Sequence, residues 1–530
     1  MIGKRGAKKD TQERSRAEYS AINATVAMVT QGISVVVAYA GRVVFTHTLS
    51  QSYAGINGLF TDILGILALS ELGIASAMNY ALYRPAAQND IPKIQAVMKL
   101  YKRLYLGVAA FVAVIGLGML PFLHHLAGDL SAIEHLKLIY LLYLGNSVVS
   151  YLLTYKWSVI TAYQREYIVS LWSTTFFVIR VCIQMAVLLI TKNYIAYLLV
   201  IIIGTILCNV YICRQAERMY PYLREKNDNE LPREEKQEIS RNIRALALHR
   251  LGAVVINNTD NLLLSRLTGI VNVAIYSNYY LIISSVRQVL DRIFQGIAAS
   301  VGNLGTTEDR DELEPVFYTA FFTGQWIYSL AAICLYELLC PFIALSFGTH
   351  YLFGRSTVLL LCVLLFLQGM RKTVTTFWYA LGMFWLDRYK ALAEAVLNLV
   401  ISILLGVRYG VNGIFMGTVL SMLLVPVWME PYLFFRHCLK KPLGPFIRKY
   451  AVYLAVITLT WWLVDTVCGL VTGGMAGVLI LRFVICVLTT NGVFLLAHVR
   501  RQEFKSMVWL ASSLVKRKRG DNKSERSEKN

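Results

Sequence analysis

Six basic residues lie deep within apolar stretches of this chain: Arg42, Arg180, Arg287, Arg292, Arg371 and Lys372. Three acids, Asp62, Asp260 and Asp291, lie comparably deep. A charge at mid-bilayer depth costs ~2.5–3.5 kcal/mol on insertion scales, so each needs a partner, water or a task. Several fall on stripes of helical period. Gln31, Ser34, Ala38 and Arg42 share one face, and Ser173, Arg180 and Gln184 share another. The strongest stripe is Ser284, Arg287, Gln288, Asp291 and Gln295; a further one is Gln368, Arg371, Lys372, Thr375 and Tyr379. Asn257-Asn258-Thr259-Asp260-Asn261 forms a polar run, and Asn57, Asp62 and Glu71 add polar positions to an earlier span. Such stripes should face one another around a polar centre. Cations outnumber acids there, and Arg grips phosphate oxygens bidentately, so the excess suits a diphosphate.

Each position has a plainer alternative. Arg287 and Asp291 are four residues apart and could pair within one helix. Arg42 could snorkel to the outer interface. Arg371 and Lys372 point about 100° apart, so only one of them is expected to face a cavity. Arg292 lies five residues past Arg287 and points elsewhere. Asp62 and Glu71 fall on opposite faces of an unbroken helix, so one is a packing or capping residue. Asp260 reads either as structural partner to an Arg or as a protonatable coupling site. His124, His125, Asp129, Glu134 and His135 form a loop for which solvation is the simpler reading than a metal.

The helices that must position these residues are written in the composition. Of 530 residues 56% are hydrophobic and 16% charged, with mean hydropathy +0.52; soluble domains sit near ~45–50% and ~25%. The net charge of +20 lies in short loops and tails between apolar runs. That pattern meets anionic lipid and sets orientation, and no nucleic-acid module surrounds it. Nine cysteines without a CxxC pair support neither a zinc knuckle nor a disulfide framework. Neither a metal nor any other cofactor is expected. The basic arm 1–20 leads into a full-length span, which should remain as an anchor.

With about 20 residues needed per span, fourteen transmembrane helices are expected, near 22–46, 51–80, 100–122, 136–160, 168–190, 194–213, 246–268, 272–302, 316–346, 355–385, 388–408, 411–435, 447–468 and 473–498. The fold class is therefore an all-α polytopic membrane protein. Loops and tails on one side hold 40 of the 52 Lys and Arg. The other side holds five: Lys137, Lys192, Arg266, Arg355 and Arg408. The positive-inside rule then places both termini in the cytoplasm. The loop 303–315, with one Arg and five acids, has the weakest signal.

The expected organisation is a cytoplasmic arm (1–20), a six-helix bundle (21–213), a charged cytoplasmic connector (214–245), a second six-helix bundle (246–440), two further helices (441–500), and an interfacial amphipathic helix with a disordered basic tail (501–530). The two bundles begin alike. HTLSQSYAGINGLFTDIL and SRLTGIVNVAIYSNYYLII each place a short turn before a long helix with an early Asn, Asn57 or Asn278. Repeated halves are common in secondary transporters.

Three stretches resemble Wzx-type flippases, exporters of polysaccharide repeat units in the multidrug/oligosaccharidyl-lipid/polysaccharide (MOP) superfamily. They are LFTDILGILALSELGIASAMNYALYRPAAQNDIPKIQAVMKLYKRLY, YLLYLGNSVVSYLLTYKWSVITAYQREYI and NTDNLLLSRLTGIVNVAIYSNYYLIISSVRQVLDRIFQGIAASVGNL. The likeness covers roughly 16–440. It implies two six-helix bundles forming a V around a cationic cavity, undecaprenyl-diphosphate-linked oligosaccharide as substrate, and alternating access without ATP hydrolysis. Carried over, it points to Arg42 and Arg287, with Arg180, Arg371, Lys372, Gln31 and Gln288 as further substrate-binding candidates and Asp62, Asp260 and Asp291 as coupling or structural acids. The interleaved acids depart from the family's pattern. The implied partners are the lipid-linked substrate, membrane lipids, and a polysaccharide polymerase and glycosyltransferases of the same pathway; nucleic acid is not among them.

A MATE-like multidrug or cation antiporter is the competing reading, which an acid-dominated cavity would favour. A membrane-bound polymerase or glycosyltransferase would need a larger outer segment than the roughly fifteen residues of the longest outer loop. The absence of GxxxxGK[ST] excludes a P-loop ATPase. A lipid scramblase or a structural partner protein stays open.

Overall fold

The computed structural model describes residues 16–67, 74–123, 133–225, 229–304, 313–381 and 389–509. Every regular element among them is a helix, and sixteen are α-helices. In chain order they are α1 (Arg16–Thr48), α2 (Gln51–Leu67), α3 (Ile74–Gln88), α4 (Ile91–Gly118), α5 (Leu136–Leu152), α6 (Trp157–Ala162), α7 (Glu166–Thr191), α8 (Tyr194–Met219), α9 (Arg233–Thr268), α10 (Ile270–Leu304), α11 (Leu313–Phe347), α12 (Arg355–Ala380), α13 (Lys390–Leu424), α14 (Pro426–Phe434), α15 (Gly444–Gly469) and α16 (Met475–His498). The described residues of the fourteen expected spans fall almost entirely on helix. Ten described helical stretches are long and apolar enough to cross a membrane. Large apolar side chains such as Ile190, Val407, Leu488 and Leu496 lie exposed along them. A helix whose backbone bonds are satisfied internally is the form that tolerates lipid on its outer face.

Local chemistry sets the helix boundaries. Asp90 caps α4 by accepting the Lys93 amide at 3.1 Å, with Pro92 in the first turn, where its missing N–H is harmless. Asn193 caps α8, accepting the amides of Ile195 and Ala196 at 2.8 and 3.1 Å. The expected spans 388–408 and 411–435 form one 50-residue helical stretch, Lys390–Leu439. It is broken at Gly410, whose φ of 60° and ψ of −135° are not helical; a β-carbon is strained at positive φ. The expected span 51–80 is two helices, α2 and α3, with 68–73 outside the described residues. Glu71 therefore lies outside the description, as do the loop 124–132, most of the acidic loop (305–312), the arm 1–15 and the tail from 510. So do the side chains of Asn257, Asn258, Arg292, Gln295 and Tyr379.

The chain divides into two compact units. Unit 1 comprises 1–49, 64–122 and 134–250; unit 2 comprises 50–63, 123–133 and 251–530. In unit 1, α1 lies along α7, α7 along α8, and α4 along α5. The segment 214–245 is not a free linker. Gln95 donates to the Tyr222 carbonyl at 2.8 Å, Asn229 donates to Gln95 at 3.2 Å, and Lys93 meets Glu235 at 2.7 Å. In unit 2, α11 is the central strut, packed by α12, α15 and α16. Glu337 of α11 is 2% exposed, accepts a hydrogen bond from Arg355 at 3.4 Å and stands 3.5 Å from the Arg482 guanidinium as an ion pair. Trp326 donates to Asn491 at 2.9 Å. The last two helices are thus integral to unit 2. Beyond them a short helix over 502–509 docks Phe504 on Trp326 at 5.8 Å, while Val508 and Trp509 face outward. That division between a packed and an exposed apolar edge suits an interfacial position.

Candidate functional site

The sequence-derived site residues fall on both units. In unit 1, Gln31 and Arg42 lie on α1, half-buried. The Arg42 guanidinium stands 5.5 Å from the Phe45 ring, and Phe45 meets Tyr194 and Tyr197 edge-on at 5.8 and 5.3 Å. Tyr194 and Tyr143 share a 2.8 Å hydrogen bond. On α7, Arg180 donates through Nη1 to the Thr205 hydroxyl at 3.5 Å and stacks on Phe177 at 5.4 Å. It lines a cavity of about 440 Å³ walled by α4, α5, α7 and α8.

In unit 2, Arg287 of α10 donates to the Gln368 amide oxygen of α12 at 2.9 Å. It does not pair with Asp291, the within-helix alternative. Asp291 instead takes Lys372 at 3.3 Å and the Tyr328 hydroxyl at 3.1 Å. Gln288, one position on, is exposed. Arg371 and Lys372 do diverge. Arg371 is clamped between two buried carboxylates, Glu394 at 2.9 Å and Glu430 at 2.8 Å, and Lys390 closes on Glu430 at 2.8 Å. All three of its guanidinium nitrogens donate there, in a fork-to-carboxylate geometry that Arg favours. This removes Arg371 from the cations available to an anionic cargo.

The sequence reading undercounted the deep acids. Glu337, Glu394 and Glu430 are 2%, 4% and 5% exposed. Their signal was present: Glu430 stands alone in VWMEPYLFF, and Glu394 follows Lys390 by four residues at the head of a long apolar run.

Asp62 and Asp260 sit together in unit 2. Asn261 donates to Asp62 at 2.7 Å. Asp260, 7% exposed, lies near the Thr418 hydroxyl and within electrostatic reach of Asp62 and Tyr276. The Arg292 side chain lies outside the description, and among the described residues no Arg is hydrogen-bonded or ion-paired to Asp260. Its surroundings are neutral hydroxyls and amides, including Asn398, which donates to Thr418 at 3.0 Å. Oδ1 of Asp260 and of Asn398 are buried without hydrogen-bond donors. Two carboxylates among oxygen acceptors can take a proton or a hard cation. Among the described residues no cluster of three or more His, Cys, Asp or Glu forms a metal site.

The fold has clear relatives of known structure. A multidrug-resistance MATE family transporter of the MOP superfamily, in an inward-facing conformation, superposes with a TM-score of 0.61 at 15% identity, covering 76% of this chain and 95% of the other. The lipid II flippase MurJ, in an inward closed conformation, gives 0.64 at 15% identity, covering 89% and 98%. A MOP superfamily transporter from Pyrococcus furiosus, described as having a binding pocket of reverse polarity, gives 0.57 at 14% identity, covering 80% and 97%. The fold of this chain is thus similar to that of these MOP superfamily transporters and of the flippase. No family model matches the sequence, and no curated protein matches it at the sequence level.

Proposed function

We propose that this protein is a carrier that moves an undecaprenyl-diphosphate-linked oligosaccharide from the inner to the outer leaflet of a bacterial cytoplasmic membrane, with both termini cytoplasmic. One observation carries the reading. Arg287 lies on α10, an expected span, and among the described residues its hydrogen-bond partner is a neutral side chain, Gln368. A guanidinium stays protonated at any working pH. A fixed charge without a carboxylate hydrogen-bond partner among the described residues favours an anionic head group, and Arg is the side chain that grips phosphate oxygens in pairs. The polymerase and glycosyltransferases of the same pathway are the partners this reading implies.

A second reading has its own observation. Among the described residues no basic side chain pairs with Asp62 or Asp260, which suits a MATE-like antiporter for cations. Within the carrier reading the same pair serves as the coupling site, taking up a proton or cation that drives the cycle.

The test is direct. Cells lacking the protein are expected to accumulate undecaprenyl-diphosphate oligosaccharide on the cytoplasmic face, and Arg287→Ala is expected to reproduce that accumulation with normal membrane insertion. Normal intermediates together with altered dye efflux would instead establish the antiporter.

A further inference from the structure

We infer that unit 1 holds a saccharide site of its own, in the cavity walled by α4, α5, α7 and α8, which receives a sugar ring of the cargo. The inference rests on the carrier reading and adds to it where the sugar is recognised. At about 440 Å³ the cavity falls in the ~300–1,000 Å³ range of small-molecule sites. Its lining includes Arg180 and no acid, Lys or His.

The direction of the hydrogen bonds narrows the ligand. A hydroxyl has a single hydrogen to donate. That of Ser150 goes to the Ser147 carbonyl at 2.6 Å, that of Ser173 to the Ser170 carbonyl at 3.1 Å, and that of Thr154 to the Ser150 carbonyl. Thr205 uses its own on Asn146 or the Ile201 carbonyl, both at 2.9 Å. These helix-bonded hydroxyls leave lone pairs for the cavity. Arg180 supplies the one cationic donor group among the described residues of the lining.

A bare inorganic anion is an acceptor only and would meet those lone pairs on most sides. An organic cation would meet a permanent guanidinium. A sugar satisfies both halves: its hydroxyls donate to the Ser and Thr oxygens, and its oxygens accept from the Arg180 guanidinium. The aromatic rings of Phe176 and Phe177 in the same lining offer flat apolar faces for the C–H face of the ring.

Gly204 makes room for Arg180. A β-carbon there would stand 2.7 Å from Arg180 Cδ and 2.9 Å from Cγ. Gly204→Ala therefore shifts the guanidinium without deleting any polar atom.

The test uses the full chain in lipid nanodiscs and saturation-transfer NMR. The probes are methyl glycosides of a hexose, an N-acetylhexosamine and a hexuronic acid, with inorganic phosphate and tetraphenylphosphonium as competitors. At least one glycoside is expected to bind. Arg180→Gln and, independently, Gly204→Ala are each expected to weaken that binding about tenfold, equivalent to ~1.4 kcal/mol for one charged hydrogen bond. Absence of glycoside binding, displacement by phosphate or by the organic cation, or binding indifferent to both variants would overturn the site. The carrier reading is judged separately by the lipid-linked intermediates. Accumulated intermediates without glycoside binding sink the site alone, whereas glycoside binding with normal intermediates sinks the carrier reading alone.

Discussion

Arg371 and Arg287 both look, in sequence, like cations in an apolar helix, yet the structure gives them opposite work. Arg371 joins Glu394 and Glu430 at 2.9 and 2.8 Å, with Lys390 completing a network that is balanced in charge. Among the described residues Arg287 hydrogen-bonds an amide oxygen. Deleting one member of a buried ion network strands the others, at a cost of about 3–5 kcal/mol. Arg371→Ala is therefore expected to lower the thermal unfolding midpoint of the purified protein strongly, while Arg287→Ala leaves it nearly unchanged and removes transport. Equal midpoints for the two variants, measured by a thermal-shift assay in detergent, would contradict this division. The distinction was not legible in the sequence. Glu430 lies 59 residues from Arg371, so the pairing is made by packing between α12 and α14, and helical periodicity speaks only within one element. The same limit explains Asp291, whose partner Lys372 lies on another helix.

Elements were legible to the extent that they are apolar. The described residues of the expected spans lie almost entirely on helix, because a run of about 20 apolar residues has few alternatives in a bilayer. Polar helical stretches gave no such signal. The seventh span was expected from 246, but α9 starts at Arg233, and its first turns belong to unit 1 through contacts such as Glu235 with Lys93. Turns were legible where glycine marks them. α9 passes to α10 across Gly269 alone, at φ 96°, and α13 reverses its helical path at Gly410. The positive φ at Gly410 makes a specific prediction. Gly410→Val puts a β-branched side chain at φ 60°, ψ −135°, a backbone conformation that glycine enters readily and L side chains do not, and should cost about 1–3 kcal/mol. Folding yields of this variant and the parent protein, compared by size-exclusion profiles of the tagged protein, check the cost; a Val variant that equals the parent would show that the turn is not held at this φ.

At the scale of the whole molecule, the strongest sequence signal is the distribution of charge, 40 basic residues against five on alternate sides of the expected spans. The inference is fragile in one way that can be exploited. Each helix inverts the chain, so a single wrong span would reverse the side of every later loop and mix the two classes. The alternation persists to the C-terminus, where 500–530 alone hold ten basic residues. Its least supported step is 303–315, because acids contribute little to orientation and one Arg is a faint signal. Reporter fusions after residues 192, 308, 408 and 530 therefore test the arrangement where it is strongest and where it is weakest. Fusions at 192 and 408 should be active outside, and those at 308 and 530 inside. If 308 alone reports outside, the helices flanking it do not both cross as drawn, and α10 with its Arg287 stripe would lie re-entrant or interfacial. Arg287 would then lose its place as the cation that meets the diphosphate.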